Sequence, residues 1–180
     1  SPDKTPQRRL DNLDAAGAPS IPFTTGILVG IGESRQDRIV ALEAIADAHA
    51  RHGHVQEVIV QNFLPKLRTA MRGVRACPSD DYLWAIAAAR VILPPDVHLQ
   101  APPNLSDDFG VLLDAGIDDW GGVSPVTLDH VNPERPWPAL DRLREVTEAK
   151  ERDHALGVSR QTGITGAEQA RQPYRHVRIP

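Results

Sequence analysis

Residues 23–33 read Phe-Thr-Thr-Gly-Ile-Leu-Val-Gly-Ile-Gly-Glu, a short apolar run that ends in glycines and a carboxylate before a helix signal. Three later apolar runs also end in small or polar residues at which a helix can begin; they cover residues 58–63, 97–104 and 118–124. Four consecutive strand-then-helix units predict a parallel sheet, and parallel α/β folds place ligands at the carboxyl ends of their strands. The pattern therefore locates a ligand site before it identifies the ligand.

Apolar residues at helical spacing predict the helices between these runs. Ser34 and Asp37 form a variant of the capping box, which predicts a helix from Arg35 to about His52. The other predicted helices are Thr5–Ala16, Asp80 to about Leu93, Asp107–Ala115 with Ser106 as its cap, and Ala139–Ala149. The first predicted strand begins at Ile21 or Pro22 and runs to Val29, and the other predicted strands are 57–62, 97–100 and 117–120.

The number of units limits the possible architectures. A closed eight-stranded barrel needs about 250 residues and eight βα units, whereas this chain has 180 residues and a leading helix followed by four predicted units. The predicted fold class is α/β with about four parallel strands, which is either a small open fold or a piece of a longer barrel. Residues 151–180 have no sustained apolar period and are predicted to be disordered.

Composition excludes several classes of function. A net charge of -4 gives no reason to expect nucleic acid as a partner, and no apolar stretch approaches the roughly 20 residues that span a bilayer. The single cysteine, Cys77, excludes an internal disulfide and fits a reducing, cytoplasmic compartment. One cysteine also excludes any metal cluster built from several thiolates of this chain.

The polar residues at the strand ends are the candidate site. Glycines at a strand end let backbone approach a flat or anionic ligand, and the following helix start offers free N–H groups. Amides at 61–62, 100 and 104 offer donor and acceptor together, which suits a pyrimidine edge, although any single amide more often satisfies loop backbone. Asp119 is a candidate for proton transfer, whereas Asp118 is expected to cap a turn while Trp120 packs.

Other polar clusters have simpler interpretations. His49, His52 and His54 look like a metal cluster, but two of them lie near a helix end whose dipole suits cationic side chains. No metal site is therefore predicted. The basic residues Lys66, Arg68 and Arg72 could hold an anion, but a solvated loop is the commoner explanation.

The motifs resemble one family when they are taken in order. Residues 21–33 look like the fifth-strand motif of radical S-adenosylmethionine (SAM) enzymes of the biotin synthase type. Residues 53–63 (Gly-His-Val-Gln-Glu-Val-Ile-Val-Gln-Asn-Phe), 100–105 (Gln-Ala-Pro-Pro-Asn-Leu) and 118–140, with Trp-Gly-Gly-Val-Ser-Pro and Asn-Pro-Glu-Arg-Pro-Trp-Pro, narrow the choice. Together they resemble the deazaflavin-forming half of FO synthase, the 7,8-didemethyl-8-hydroxy-5-deazariboflavin synthase, over roughly residues 1–148.

The resemblance implies a fold, cofactors and a reaction. It implies residues 1–149 as the carboxyl half of a TIM-type barrel, strands 5 to 8, with an aberrant or disordered tail at 150–180. The family's 4Fe-4S cluster reductively cleaves SAM, and the resulting radical acts on an adduct of tyrosine-derived hydroxybenzyl and ribityl-aminouracil, which closes to the deazaflavin with loss of ammonia. Such an enzyme is a lyase with a small-molecule substrate.

The resemblance also implies what this chain does not supply. The family's Cys-x-x-x-Cys-x-x-Cys loop is absent and would precede residue 1, so the expected partner is an amino-terminal half barrel, with the sister radical domain as a further candidate. The chain alone is expected to make no radical. Two alternatives stay open: a sister enzyme that joins tyrosine to aminouracil, or a menaquinone-pathway relative; and a barrel remnant without catalysis.

Matching the motifs residue by residue gives the candidate site, without a catalytic residue. The residues expected at the SAM cofactor are Gly30, Gly32, Glu33, Asn62 and Phe63. Those expected at the uracil and ribityl groups of the substrate, from position alone, are Gln100, Asn104, Asp119 and Ser124.

Overall fold

A computed structural model of the chain describes residues 5–124 and 126–162, and within them it has an α/β architecture. The strands are β1 (Phe23–Val29), β2 (Val55–Asn62) and β3 (His98–Gln100). The helices are α1 (Pro6–Gly17), α2 (Arg35–His52), α3 (Ser79–Ile92), α4 (Gly110–Ala115) and α5 (Leu140–Thr162), and a single 3-10 turn covers Pro103–Leu105.

The three strands form one open parallel sheet in the order β1-β2-β3. Val29 pairs with Asn62, and Ile59 pairs with Gln100. The fourth predicted strand, 117–120, is reduced to one parallel bridge between Gln100 and Asp119. Individual hydrogen bonds join this segment to β3, among them the bond from the Asp118 amide to the Leu99 carbonyl at 3.1 Å. The four-strand prediction is therefore corrected to three strands and a bridge.

One face of the sheet carries the core. The helices α1, α2 and α3 pack against the sheet, and alternate residues of the strands, among them Val58, Val60 and Leu99, are fully buried there. On β1, the opposite alternation leaves Thr24, Gly26 and Leu28 exposed. The sheet is thus covered on one side and open on the other.

The helix boundaries agree with local signals where those signals are strong. The predicted capping box at the start of α2 is present, and Gly53 ends that helix in the left-handed conformation at φ 63°. The prediction that Ser106 caps a helix from Asp107 is wrong, because Ser106 follows the 3-10 turn and α4 begins only at Gly110. The Asp108 carboxylate instead accepts a hydrogen bond from the Gly110 amide at 3.1 Å.

The last helix differs from its predicted length. It begins at Leu140 and continues past the predicted end at Ala149 to Thr162. Leu143 is fully buried, and the Trp120 indole donates to the Thr147 hydroxyl at 3.0 Å, so the first turns of α5 are anchored in the core. Residues 163–180 of the predicted tail lie outside the described residues. Among the described helices, none is both long and apolar enough to cross a membrane.

Candidate functional site

The carboxyl ends of the strands meet at one edge of the sheet. Because Val29 at the end of β1 pairs with Asn62 at the end of β2, and β2 pairs with β3, the segments that follow these strands leave from the same edge. The Asn62 side chain donates to the Leu105 carbonyl at 3.1 Å, which joins the end of β2 to the 3-10 turn after β3. This edge, called the rim below, carries the predicted site residues.

The turn after β1 is folded around a carboxylate. Gly30 and Gly32 have φ values of 97° and 111°, which side chains with a Cβ rarely adopt. The Glu33 carboxylate accepts hydrogen bonds from the Gly30 amide at 2.7 Å and the Ile31 amide at 2.8 Å. The Glu33 side chain therefore shapes the turn from within, and the backbone of the turn is the part that a ligand could meet.

The end of β2 presents two amides to opposite faces. Asn62 lies on the face of Val58 and Val60 and is 7% exposed, since its amide group is bound to the Leu105 carbonyl. Gln61 has the opposite orientation and lines the open face. The Phe63 backbone continues the ladder by donating to the Val29 carbonyl at 2.8 Å. Both amides are candidates from the sequence, but the motif match assigns only Asn62 to the cofactor, and alternation along β2 places Gln61 on the opposite face.

Gln100 and Asp119 form a buried pair at the end of β3. The Gln100 amide nitrogen donates to one Asp119 oxygen at 3.2 Å, and the Gly121 amide donates to the other at 2.7 Å. Gly121 has φ 74°, and an added Cβ there would lie 3.1 Å from the Gln100 side-chain oxygen. The pair is consequently held in one orientation, with the Gln100 oxygen directed at the glycine.

Asn104 pins a loop across the rim. Its amide nitrogen donates to the Asp129 carboxylate at 2.9 Å and to the Arg135 carbonyl at 3.0 Å. Burial alone would raise the pKa of Asp129, but hydrogen bonds from Asn132, Asn104 and the backbone outweigh it and lower the pKa to about 2. An ion pair between Lys66 and Glu134 joins the same loop to the loop after β2. Asn104 is therefore committed through its nitrogen to the fold of the loop.

Ser124 organises the chain that follows it. Its hydroxyl oxygen accepts hydrogen bonds from the Thr127 amide at 3.0 Å and the Thr127 hydroxyl at 2.7 Å. The structure thus gives Ser124 a local turn-forming role beside the rim. Its predicted contact with substrate stays a prediction.

Asp118 and Trp120 are structural, as expected, but Asp118 does not cap a turn. The Asp118 carboxylate accepts from the Leu99 amide at 2.7 Å and lies 3.2 Å from Arg90 and from His98, so it ties β3 to α3. Trp120 is 1% exposed and packs edge-on against Phe109 with ring centroids 5.7 Å apart.

The histidines at the other end of the sheet each have a partner of their own. His49 lies 3.0 Å from Asp96, His52 lies 3.3 Å from Asp14, and the His54 ring contacts the Leu13 carbonyl at 2.9 Å. Within the described residues, no group of three or more His, Cys, Asp or Glu side chains is arranged to hold a metal ion.

The open face forms a groove beside β1. The groove has a volume of about 320 Å³ and is lined by Thr24, Thr25, Gly26, Ile27, Leu28, Ile59 and Gln61. Gly26 permits close approach of the two strands, because an added Cβ would lie 2.1 Å from the Ile59 carbonyl oxygen. Glu57 accepts a hydrogen bond from the Thr24 hydroxyl at 2.8 Å on this face. The groove is therefore walled by β1 and β2 alone.

Comparison with known proteins confirms the resemblance found in the motifs. The chain is 57% identical to FO synthase of Mycobacterium tuberculosis (strain H37Rv) over 149 residues, which are 82% of this chain and 17% of that protein. It is 56% identical to 7,8-didemethyl-8-hydroxy-5-deazariboflavin synthase of Methanoculleus marisnigri over 146 residues, 81% of this chain and 44% of that protein. FO synthase of Nocardia farcinica is 57% identical over 151 residues. No protein-family profile matches the chain.

These matches define the relationship and its extent. The chain is homologous to FO synthase over about 80% of its own length. It spans 17% to 44% of the length of these curated relatives.

Proposed function

We propose that this chain, a homologue of one segment of FO synthase, is the carboxyl-terminal half of a radical SAM barrel that forms the deazaflavin chromophore. Its role in that enzyme is to bind the nucleoside part of SAM and the substrate at the rim. The substrate is the adduct of tyrosine-derived hydroxybenzyl and ribityl-aminouracil, which closes to the product with loss of ammonia. The observation that carries the proposal is 56–57% identity over 146 to 149 residues, about four-fifths of the chain.

The names of the relatives favour this reaction over the sister reaction. The Methanoculleus protein, of which the chain covers 44%, is named for the deazaflavin product. Segments of equal identity occur in much longer proteins called FO synthase, of which the chain covers 17%. The common segment therefore accompanies the deazaflavin-forming activity in both kinds of protein, and the adduct-forming sister enzyme becomes the weaker alternative.

The open sheet face supports a half barrel. Purely parallel sheets are normally covered on both faces or closed into barrels, whereas this sheet leaves Thr24, Gly26 and Leu28 exposed. The edge of β1 also has no neighbouring strand among the described residues. A second set of parallel strands that pairs with β1 would enclose the groove and turn the open face into a barrel interior.

The rim residues divide the binding task. The turn at Gly30–Gly32 offers backbone to the adenosine group, with Glu33 beneath it and Asn62 and Phe63 at the adjoining strand end. Gln100 and Asp119 act as one oriented hydrogen-bonding pair at the substrate, and Gln61 adds an amide from the open face. Asn104 and Ser124 hold the loops that border the substrate.

The residues of this chain do not fit an iron–sulfur cluster. Such a cluster needs several thiolates, and the chain has one cysteine. Cys77 is half-buried, and burial raises the pKa of its thiol, which disfavours the thiolate that a metal requires. We therefore assign the ligands of the cluster to a polypeptide segment other than this chain.

Complementation tests the proposal. This chain is combined with the part of the Methanoculleus relative that lies outside the matched segment, and both are reconstituted with iron and sulfide under reducing conditions. SAM and a reductant are added, and 5′-deoxyadenosine is measured. We expect deoxyadenosine from the combination and none from either part alone.

Two results would overturn the proposal. Deoxyadenosine from this chain alone would show that cofactor cleavage does not need the other half. A stable, cluster-loaded combination that neither binds nor cleaves SAM would favour the alternative of a barrel remnant without catalysis.

The substrate assignment has its own test in the complemented protein. Asn104→Ala should lower turnover of the adduct more than SAM cleavage, because the loop that borders the substrate loses its anchor while the glycine turn keeps its contacts. Equal loss of both activities would remove Asn104 from the substrate side of the rim.

A further inference from the structure

A buried arginine lies directly beneath the glycine turn. Arg38 is in the first turns of α2 and is 4% exposed. Its Nε donates to the Glu33 carboxylate at 2.7 Å, and its Nη2 lies 3.5 Å from the Asp81 carboxylate. Because a buried guanidinium is costly unless it is paired and hydrogen-bonded, these contacts fix the side chain between α2, the turn and α3.

The carboxylate that Arg38 contacts is the one that closes the turn. One Glu33 oxygen accepts from both the Gly30 amide and Arg38, and the other accepts from the Ile31 amide. The Glu33 side chain is 17% exposed, so water does not readily replace these contacts. Arg38 therefore acts on the backbone amides of Gly30 and Ile31 through the Glu33 carboxylate.

The turn has one closed side and one open side. An added Cβ on Gly30 would lie 2.7 Å from the Cβ of Cys77, which shows that this glycine packs tightly against the loop before α3. Gly32 has no atom within 4 Å of the corresponding position. A ligand can approach from the side of Gly32, whereas the side of Gly30 is held by the protein.

We propose that Arg38 is a positioning residue that, through Glu33, holds the Gly30–Gly32 turn in the shape that receives the nucleoside part of SAM. This inference rests on the proposed function, since it deepens the cofactor half of the rim. Arg38 itself touches no ligand in this scheme, and its effect is on how well the turn is preorganised for binding.

The neighbouring Arg35 provides a matched control. Its Nη2 pairs with the same Asp81 carboxylate at 2.9 Å, and its guanidinium lies 4.6 Å from the Trp84 ring centroid. The Arg35 side chain is 55% exposed, and its recorded bonds go to Asp81 and not to Glu33. Loss of Arg35 therefore removes an arginine–Asp81 pair and leaves the turn as it is.

Kinetics of the complemented protein give the first test. In Arg38→Gln the KM for SAM should rise about tenfold, by analogy with the loss of affinity when the partner behind a metal ligand is removed, while kcat at saturating SAM changes little. Arg38→Lys should recover part of the loss, because an ammonium group can still reach Glu33. Arg35→Gln should leave the KM for SAM near its original value.

Amide NMR of the chain gives a second, independent readout. Burial raises the pKa of Glu33, but hydrogen bonds from Gly30, its own backbone, Arg38 and Ile31 lower it by more, so the pKa lies below its usual value. The Gly30 and Ile31 amide shifts should follow the titration of Glu33. Their midpoint should move to higher pH in Arg38→Gln and stay in place in Arg35→Gln.

The outcomes separate this inference from the function on which it rests. If the unaltered complex binds no SAM, the proposed function fails, and the positioning role fails with it. If the complex binds SAM and Arg38→Gln binds it equally well, only the positioning role fails. A KM that rises equally in Arg35→Gln, or a titration midpoint that does not move in Arg38→Gln, would also overturn it.

Discussion

The two faces of the sheet are built from the same strands and could hardly differ more. The helix-covered face presents Val58, Val60 and Leu99, which are all fully buried. The open face presents Thr24, Gly26 and Gln61 to a groove. Because successive residues of a strand point to opposite sides, the same strand contributes apolar residues to the core and polar residues to the groove.

From this difference we expect the covered face to carry stability and the open face to carry binding. Apolar burial is the main favourable contribution to folding, so the covered face should hold the fold together. Amides, a carboxylate and glycines on the open face contribute little to burial but suit a ligand. The following predictions test whether the two roles are as separate as the two faces.

The largest effect is expected from a leucine on the covered face. Leu99→Ala removes a fully buried side chain and should lower the free energy of unfolding by about 3 kcal/mol, as large-to-small changes in cores do. Urea unfolding of the chain measures this. Leu28→Ala is the matched change on the open face, where the side chain is 41% exposed, and should cost less than about 1 kcal/mol.

The two leucine variants can also contradict the proposed difference between the faces. Equal losses in the two variants would mean that both faces contribute alike to the core. In the complemented protein, an added half barrel would cover the open face, and the cost of Leu28→Ala should then increase.

Most substitutions on the open face should cost little stability, but a substitution at Gly26 should be an exception. Gly26→Ala would place a Cβ 2.1 Å from the Ile59 carbonyl oxygen, so β1 and β2 must separate locally, at a cost of about 2 kcal/mol. Thermal unfolding measures it. Gly122→Ala is the control, because an added Cβ there meets no atom within 4 Å. If Gly26→Ala is neutral as well, the close approach of the two strands does not limit the open face.

The rim, where the two faces meet, should give the smallest effect. Hydrogen bonds lower the pKa of Asp129 in the folded chain to about 2, below the usual value for an aspartate. A lowered pKa contributes stability that is present above the unfolded value and lost as the pH falls from about 4 to about 2. Asp129→Asn should therefore cost about 1 kcal/mol at neutral pH, after allowance for solvent screening.

The pH dependence of unfolding checks the sign for Asp129. The difference in stability between the original chain and Asp129→Asn should shrink as the pH is lowered below 4. A difference that grows on acidification would contradict the contacts described for Asp129.

Local signals predicted those parts of the fold that are decided locally. Ser34 and Asp37 lie three residues apart, and their capping box specified the start of α2 without any distant contact. Gly116 ends α4 with a left-handed φ of 115°, a conformation that glycine adopts readily. The parallel order of the first three strands followed from the same kind of repeated signal.

Long-range contacts decided what the sequence could not predict. The segment 117–120 is predicted as a strand from its place in the repeated βα pattern, but it forms only one bridge, with Gln100. The inward fold of Glu33 depends on Arg38, and the orientation of Asn62 depends on the Leu105 carbonyl. These partners could be found only when α2, β2 and the 3-10 turn were brought together.

The ion pair between Lys66 and Glu134 has a consequence for how the rim is reached. It clasps two loops that are remote in sequence, and the Glu134 side chain is 55% exposed. Exposed pairs of this kind are worth less than about 1 kcal/mol and weaken with salt. The two loops can therefore separate in concentrated salt while the strands beneath them stay paired. The loops at the rim are thus easier to move than the sheet.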